Sequence, residues 1–257
     1  MKGSIDKRVT LIGAGPGDPD LITVKGVKAL QKASVVLYDA LINKKLLEYA
    51  PTAKKIFVGK RKGFHRYSQD EINQLIVKNA FEYGNVVRLK GGDPFIFGRG
   101  TEEINYISSF NIETDVISGI SSSIAVPASQ GISLTKRGVA ESFWVVTGTT
   151  SDKKLSADIY LAAQSTATIV ILMGMSKLNE IVSVFKKFDK IDVPMAIIQN
   201  GTTENEKLGL GTINTIEEVV AEKRLSSPAI IIVGEVVKES IKLNMFYEEI
   251  VQNNEYA

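Results

Sequence analysis

The amino-acid sequence predicts a two-domain α/β protein with mainly parallel sheets flanked by helices. Short apolar runs recur along its 257 residues, and most of them are continuous rather than alternating, which is typical of strands buried on both faces. Segments with helical periodicity lie between the runs, and glycine-rich segments follow several of them. Because open α/β sheets bind ligands at the carboxyl ends of their strands, these glycine-rich segments are the first candidates for a functional site.

The predicted strands divide into two groups. The strands predicted in the two halves are 9–13, 34–38, 55–58, 85–90 and 113–117, then 142–147, 168–173, 194–199 and 229–234. No proline-rich or charged linker separates the groups, but a strand ends near Ser118 and the segment SGISSS opens the second half. We therefore predict an N-terminal domain over 8–118, a C-terminal domain over 119–243 and a tail over 244–257.

The clearest predicted helix follows Ser68. Ser68 and Glu71 have the spacing of a capping box, and Gly84 supplies a C-terminal stop. Its predicted apolar face consists of Ile72, Leu75, Ile76 and Ala80. A second helix is predicted from Thr101, with Ile104, Ile107 and Phe110 on its inner side.

Composition excludes several classes of function. The 31 basic and 29 acidic residues give a net charge of only +2, which predicts neither a nucleic-acid nor a membrane partner. The chain has no cysteine and a single histidine, His65, so disulfides, thiolate catalysis and metal sites built from cysteine or several histidines are excluded. It also lacks a long apolar run and a signal-peptide pattern, and we expect a cytoplasmic protein without a metal.

The segment GAGPGD, residues 13–18, follows the first predicted strand. The dinucleotide-binding fingerprint needs a third glycine where the chain has Asp18, and this difference argues against a dehydrogenase. The glycines still allow backbone to approach a ligand closely, and Pro16 stiffens the turn. A tight turn without any ligand remains the alternative.

Two further segments allow either a structural or a functional interpretation. The segment 59–68 is strongly basic and carries Lys60 and His65; it is either a solvated face or a cradle for a polyanion. Asp39 closes the second predicted strand, where a carboxylate is either a helix N-cap or a site residue.

The segment RLKGGDPFIFGRG, residues 88–100, carries the strongest functional signal. Gly91 and Gly92 come directly after a strand, Asp93 offers a carboxylate, and Arg99 lies between two glycines. A purely structural loop needs fewer glycines, and this composition therefore favours a site.

In these motifs the chain resembles the tetrapyrrole (class III) methyltransferases, and within them the uroporphyrinogen-III C-methyltransferases. The resemblance runs from about Arg8 to Leu243, and GGDPFIFGRG together with GKRKGFH is its most specific part. It implies a homodimer of two α/β domains with the active site in the cleft between them. It also implies methyl transfer from S-adenosylmethionine to two pyrrole carbons of uroporphyrinogen III, with S-adenosylhomocysteine as product.

The resemblance assigns roles to individual residues. Asp39 and Lys60 match the positions of a proton acceptor and a proton donor, and Arg99 matches a third catalytic position. Arg99, Glu102 and Arg137 match substrate-binding positions. The positions that match cofactor-binding residues of the family are Pro16, Gly91, Gly92, Asp93, Ile96, Ser121, Ser122, Met173 and Gly201.

Two positions depart from the family pattern. Lys136 stands where a histidine is usual, and it keeps a cation but loses a group that could titrate near neutrality. Ala40 stands where an arginine usually follows the aspartate. The alternatives that stay open are another precorrin C-methyltransferase of the cobalamin pathway and a tetrapyrrole-binding module without catalysis.

The residue types suit methylation of a reduced tetrapyrrole. The methyl donor is already activated, so catalysis consists mainly of positioning and excluding water. Alkylation of a pyrrole carbon must be followed by loss of a proton, which needs a base within reach; Asp39 is the plain candidate. Arg99 stays cationic and suits an orienting role, while Arg99 and Arg137 can bind the substrate's carboxylates in bidentate fashion.

Overall fold

The computed structural model describes residues 6–59 and 67–240, which form two compact units that divide between Ser121 and Ser122. Each unit contains one five-stranded sheet with helices packed on it. The sequence placed the boundary between residues 118 and 119. The predicted tail, 244–257, lies outside the described residues.

The first unit is a parallel sheet with the strand order β3-β2-β4-β1-β5. Among the described residues every pairing in this sheet is parallel, as the sequence predicted. Its strands are β1 (Arg8–Gly13), β2 (Val35–Tyr38), β3 (Lys54–Phe57), β4 (Asn85–Lys90) and β5 (Glu113–Ile117). Its helices are α1 (Val24–Leu30), α2 (Gln69–Tyr83) and α3 (Gly100–Ser108), with 3₁₀ turns at Pro19–Leu21 and Lys44–Tyr49.

Both faces of the first sheet are covered, which explains the continuous apolar runs in its strands. Helices α2 and α3 pack on the face that carries Val9, Leu37 and Val86. Helix α1 and the turn Lys44–Tyr49 pack on the opposite face, against Val87 and Leu89. Arg88 and Lys90 alternate with these last two residues, so the period of a strand places both cations on the α2/α3 face.

Helix α2 begins and ends as predicted. The Ser68 hydroxyl accepts a hydrogen bond from the Glu71 amide (3.2 Å), and the Glu71 carboxylate accepts one from the Ser68 amide (2.6 Å). Gly84 ends the helix with a φ of 80°. The prediction for α3 was partly wrong: Ile107 is buried, but Phe110 lies beyond the helix end and is exposed.

The second unit has the strand order β6-β7-β10-β8-β9. Its strands are β6 (Phe143–Thr147), β7 (Thr168–Leu172), β8 (Pro194–Gln199), β9 (Lys207–Thr212) and β10 (Ala229–Val233). Its helices are α4 (Ser122–Ser129), α5 (Asp158–Gln164), α6 (Leu178–Lys187) and α7 (Ile216–Lys223), with 3₁₀ turns at Met175–Lys177 and Glu235–Val237.

Strand direction in the second sheet differs from the parallel pattern. The β6–β7 pairing is parallel, whereas β10 is antiparallel to both neighbours and β8 and β9 form a hairpin. Strand β10 is buried on both faces, with Ile231 in one core cluster and Ile230 and Ile232 in another. Its apolar run therefore indicates that the strand is buried, but it does not indicate whether the strand is parallel or antiparallel to its neighbours. Strand β9 was not predicted, because its sequence, KLGLGT, alternates with glycine.

Candidate functional site

Three glycine-containing loops at the carboxyl edge of the first sheet pack directly on one another. Gly15 and Gly92 form an isolated bridge, in which the Gly92 amide donates to the Gly15 carbonyl (2.7 Å) and the Gly15 amide donates to the Gly92 carbonyl (3.3 Å). A Cβ atom on Gly13 would lie 2.4 Å from the backbone nitrogen of Gly119. The loops after β1, β4 and β5 thus meet backbone to backbone. These glycines allow the protein's own loops to approach one another, which the sequence had suggested for a ligand.

Asp93 holds this loop cluster together. Its Oδ1 accepts a hydrogen bond from the Phe95 amide (2.7 Å), and its Oδ2 accepts one from the Gly119 amide (3.0 Å). Both carboxylate oxygens are therefore used within the unit. Asp93 therefore has a structural role in this loop cluster.

The tip of the loop after β4 exposes large apolar side chains. Phe95, Ile96 and Phe97 are each about half exposed, and Phe97 has a left-handed φ of 52°. The half-buried Gly91 and Pro16 lie at the bases of their loops. Exposed apolar groups beside accessible backbone suit a ligand that is partly aromatic and partly polar.

Asp39 is not a helix cap, and it lies partly exposed at the carboxyl edge of the sheet. The next helical turn, Lys44–Tyr49, is capped by Asn43. The Asp39 amide donates to the Leu89 carbonyl (3.3 Å), which extends the β2–β4 pairing by one step. The Asp39 side chain is 28% exposed, and its Oδ1 accepts a 2.6 Å hydrogen bond from Nη2 of Arg88. A carboxylate thus reaches solvent at the sheet edge while a buried cation holds it.

Three buried charges beneath Asp39 were missed by the sequence predictions. Arg88, Lys90 and Glu103 are almost fully buried, and Oε1 of Glu103 accepts from Nε of Arg88 (3.2 Å) and from Nζ of Lys90 (2.9 Å). The sequence contains a signal that could have predicted them. The predicted buried strand NVVRLK carries two cations, and buried cations require acidic partners, one of which α3 supplies.

The ionisation of the buried cations follows from their surroundings. Burial lowers the pKa of Lys90, the nearby Arg88 lowers it further, and Glu103 partly compensates. Burial also opposes the charged form of Arg88, but attraction by Asp39 and Glu103 outweighs it and raises the pKa of Arg88. Arg88 is therefore a permanent cation next to Asp39.

Arg99 is paired with Glu102 on the protein surface. Nε of Arg99 donates to Oε1 of Glu102 (2.9 Å), and both side chains are about half exposed. The hydrogen bond to Glu102 raises the pKa of Arg99, and the same bond lowers the pKa of Glu102. Arg99 is thus a cation that is accessible to solvent, and a substrate carboxylate would compete with Glu102 for it.

In the second unit, two predicted cofactor residues lie at the same edge of the sheet. Met173 follows β7 and Gly201 follows β8, and these two strands run in the same direction. Met173 is half exposed with a φ of 55°, and its carbonyl accepts a hydrogen bond from the Thr149 hydroxyl (2.8 Å). A Cβ on Gly201 would lie 2.3 Å from Val126 of α4, so this glycine lets its loop pack on that helix.

For the remaining predicted site residues, their positions in the structure give little evidence for or against a role in binding. Ser121 is buried and Ser122 is the first residue of α4. Arg137 is exposed in a tight turn with Gly138 (φ 76°), and its neighbour Lys136 forms an ion pair with Glu239. Lys60 and the rest of the basic segment 60–66 lie outside the described residues.

Backbone strain marks the same loops. Of the non-glycine residues with left-handed φ that the described ranges contain, Asn111, Asp189 and Arg224 follow helices and Lys153 lies in a turn. The remaining ones are in the loops after β4, β7 and β8: Phe97, Arg99, Met173, Asn200 and Thr202. Such conformations are unfavourable for side chains with a Cβ and concentrate at binding sites, so they support a functional role for these loops.

The decisive comparison is with protein families. The family described as Tetrapyrrole (Corrin/Porphyrin) Methylases matches residues 8–217. The chain belongs to this family. Two tetrapyrrole methylases among its relatives are named uroporphyrinogen-III C-methyltransferase. The one from Methanocaldococcus jannaschii is 49% identical over 90% of this chain and 96% of its own length, and the one from Priestia megaterium is 44% identical over 91% and 99%.

A solved structure agrees with the fold of this tetrapyrrole methylase. Uroporphyrin-III C-methyl transferase from Thermus thermophilus, complexed with S-adenyl homocysteine, superposes with a TM-score of 0.77 at 34% identity, covering 90% of this chain and 99% of that one. Within residues 6–59 and 67–240, no cluster of three or more potential metal ligands occurs, and no helix is long and apolar enough to cross a membrane.

Proposed function

We propose that this tetrapyrrole methylase transfers methyl groups from S-adenosylmethionine to two pyrrole carbons of uroporphyrinogen III, C-2 and C-7. The product is precorrin-2, formed by way of precorrin-1, which supplies siroheme and cobalamin biosynthesis. The observation that carries the proposal is the Asp39 carboxylate, held by a buried arginine at the sheet edge of a chain that is 49% identical to a named uroporphyrinogen-III C-methyltransferase.

The loops of each unit fit the cofactor. S-Adenosylmethionine supplies a methyl group that is activated by a sulfonium charge, so the protein needs to bind and orient it. The exposed side chains of Ile96 and Met173 offer apolar surface for an adenosyl group. The backbone at Gly91 offers polar groups without interference from a Cβ, while Gly92 and Gly201 shape the loops, Gly92 through its hydrogen bonds to Gly15 and Gly201 through its packing on Val126.

Asp39 acts as the proton acceptor in this proposal. Each pyrrole β-carbon of uroporphyrinogen III already carries a carboxylate side chain, so attack on the methyl group makes that carbon quaternary, releases S-adenosylhomocysteine and leaves a positive charge on the macrocycle. The carboxylate takes a proton from another position of this cation, a bridging carbon or a ring nitrogen, which gives a neutral product, and later returns the proton to water. Arg88 keeps the carboxylate in place and, as a permanent cation, cannot itself accept the proton.

Cationic side chains bind the substrate's carboxylates. Uroporphyrinogen III has eight carboxylates, and Arg99 and Arg137 are exposed arginines that can each form bidentate contacts with them. Arg99 exchanges Glu102 for a substrate carboxylate, which costs little because their pair is exposed to solvent. In the same scheme Lys60 is the proton donor, and the enzyme works as a cytoplasmic homodimer.

Anaerobic turnover tests the function directly. The protein is incubated with enzymatically made uroporphyrinogen III and S-adenosylmethionine, and the products are analysed by mass spectrometry. Two added methyl groups are expected, and none without the methyl donor. A chain that leaves uroporphyrinogen III unchanged but methylates a later precorrin would be assigned to another step of the cobalamin pathway. Binding of the tetrapyrrole without methylation of any precorrin would indicate a binding module.

A further inference from the structure

The cluster of Asp39, Arg88, Lys90 and Glu103 has an asymmetric exposure. Arg88 is 2% exposed and Glu103 is fully buried, while the Asp39 side chain is 28% exposed. Three charges therefore lie in the interior between β4 and α3, and the fourth reaches solvent at the predicted catalytic position. The two positive and two negative groups balance, which is the condition for keeping charges buried.

The guanidinium of Arg88 is used on each of its nitrogens. Nε donates to Oε1 of Glu103 (3.2 Å), Nη1 donates to the Leu89 carbonyl (3.2 Å) and Nη2 donates to Oδ1 of Asp39 (2.6 Å). A lysine has one nitrogen at the end of a flexible chain and cannot hold three acceptors in these directions. The planar fork therefore fixes the direction from which Asp39 is held.

Strand register fixes the rest of the arrangement. Leu37 of β2 pairs with Arg88 of β4, and Asp39 lies two residues after Leu37, directly after the end of β2 and on the same face of the sheet. Among residues 6–59 and 67–240, the carboxylate of Asp39 accepts a hydrogen bond only at Oδ1. Oδ2 is thus the oxygen left to meet a substrate.

Stability alone does not explain the cluster. Buried ion pairs are often no more stabilising than apolar residues of similar volume. Glu103 receives three donors on Oε1, from Arg88, Lys90 and Gln69, while its buried Oε2 has no partner among the described residues. Because Oε2 stays without a partner while Oε1 accepts three donors, the cluster does not give Glu103 its best hydrogen bonding, and Arg88 alone of these donors also reaches Asp39.

We propose that Arg88 is a positioning residue that holds Asp39 by Oδ1, so that Oδ2 faces the proton to be removed, and that Glu103 with Lys90 anchors Arg88. The inference rests on the proposed methyltransferase function and on Asp39 as the proton acceptor. It adds a second layer to the site, made of residues that touch neither substrate nor cofactor.

A double-mutant cycle between Arg88→Lys and Asp39→Asn tests the assignment. Arg88→Lys keeps the positive charge but releases Asp39, so we expect kcat to fall about 100-fold. The KM for uroporphyrinogen III and the Kd for S-adenosylhomocysteine should change by less than about threefold, since Arg88 contacts neither in this scheme. In the Asp39→Asn background the same change should lower kcat by less than about threefold, because there is no carboxylate left to position.

Controls separate positioning from structure. Arg8→Lys alters another strand arginine with a carboxylate partner, Glu113 at 2.8 Å, at the opposite edge of the sheet, and it should leave kcat unchanged. Glu103→Gln weakens the contact that anchors Arg88 without changing the side-chain volume. Its effect on kcat should likewise be large with Asp39 present and small in the Asp39→Asn background. If Arg88→Lys does not fold, Glu103→Gln takes its place in the cycle.

The outcomes distinguish this inference from the function on which it rests. Wild-type protein that fails to methylate uroporphyrinogen III would refute the proposed function. Active wild-type protein in which the Arg88 and Asp39 effects multiply independently, or in which Arg88→Lys weakens S-adenosylhomocysteine binding as much as it lowers kcat, would refute the positioning role alone.

Discussion

At the scale of single residues, the two candidate catalytic groups differ in their surroundings. Asp39 accepts a hydrogen bond from a buried arginine and keeps one oxygen directed away from it. Arg99 is exposed and pairs with a neighbouring glutamate, which raises the pKa of its guanidinium. A base must be able to accept a proton, and an arginine in this setting cannot. The sequence already named Asp39 as the plain candidate for the base and Arg99 as an orienting cation, and these surroundings support the same proposed roles.

Replacing the carboxylate tests this division of roles. Asp39→Asn keeps the size of the side chain and its contact with Arg88 but removes the proton acceptor, so we expect single-turnover methyl transfer to slow by about 100-fold or more. Binding of S-adenosylhomocysteine, measured by calorimetry, should be unchanged. Asp115→Asn, on β5, is the matched control and should retain activity. An unchanged single-turnover rate in Asp39→Asn would remove this residue from the mechanism.

Replacing the arginine should give a different pattern. Arg99→Ala removes a cation that can bind a substrate carboxylate, so turnover should fall by at least about tenfold, the loss expected for one charged contact. The affinity for S-adenosylhomocysteine should stay within about twofold in calorimetry, since no methyl-donor contact is lost. Arg224→Ala changes another exposed arginine with a left-handed φ, 51°, and serves as the control. A large loss of cofactor affinity in Arg99→Ala would contradict the assignment.

At the scale of elements, the loops of the first unit depend on glycine for two separate reasons. Gly13 and Gly119 are needed because the backbones of two loops touch. Gly91 differs, since a Cβ there would lie 3.1 Å from the Cβ of Leu41 and 3.8 Å from its carbonyl carbon, contacts that need a shift of only a few tenths of an ångström. Structural and ligand-related glycines can therefore be separated by substitution.

We expect Gly13→Ala and Gly91→Ala to behave differently. The Cβ in Gly13→Ala would lie within 2.6 Å of backbone atoms of Gly119 and Gly92. That clash should lower the free energy of unfolding by about 3 kcal/mol. Gly91→Ala should lower it by less than about 1 kcal/mol and should instead weaken S-adenosylhomocysteine binding. Urea unfolding and calorimetry measure the two effects, and equal destabilisation in both variants would contradict the distinction.

The sequence predicted elements whose signals are local. The capping box at Ser68 and the buried runs of β4, β7 and β8 needed only neighbouring residues to be recognised. Strand direction in the second sheet depends on which strands pair, and an apolar run does not encode that. The role of Arg88 likewise depends on the register of β2 against β4 and on the placement of α3. Long-range pairing is therefore where sequence reasoning failed.

At the scale of the whole molecule, the charge balance hides local differences. The net charge is +2, and several cations have partners inside the protein, as Arg88 and Lys90 do. Arg137 is exposed, and Arg99 is exposed with a partner that a substrate can displace. Attraction of a substrate with eight carboxylates then depends on a few exposed cations and not on the total charge. Such attraction acts through solvent and is weakened by salt.

Salt should therefore raise the KM for the tetrapyrrole more than the KM for the methyl donor. Between about 0.05 and 0.5 M salt, the distance over which charges interact falls severalfold, so the KM for uroporphyrinogen III should rise by a similar factor. The KM for S-adenosylmethionine should change little, because its predicted contacts are apolar or made by backbone. Replacing both Arg99 and Arg137 with alanine should make the KM for uroporphyrinogen III less dependent on salt concentration. An equal response of both substrates to salt, or an unaltered slope in the double variant, would show that other cations, such as those of segment 60–66, bind the carboxylates.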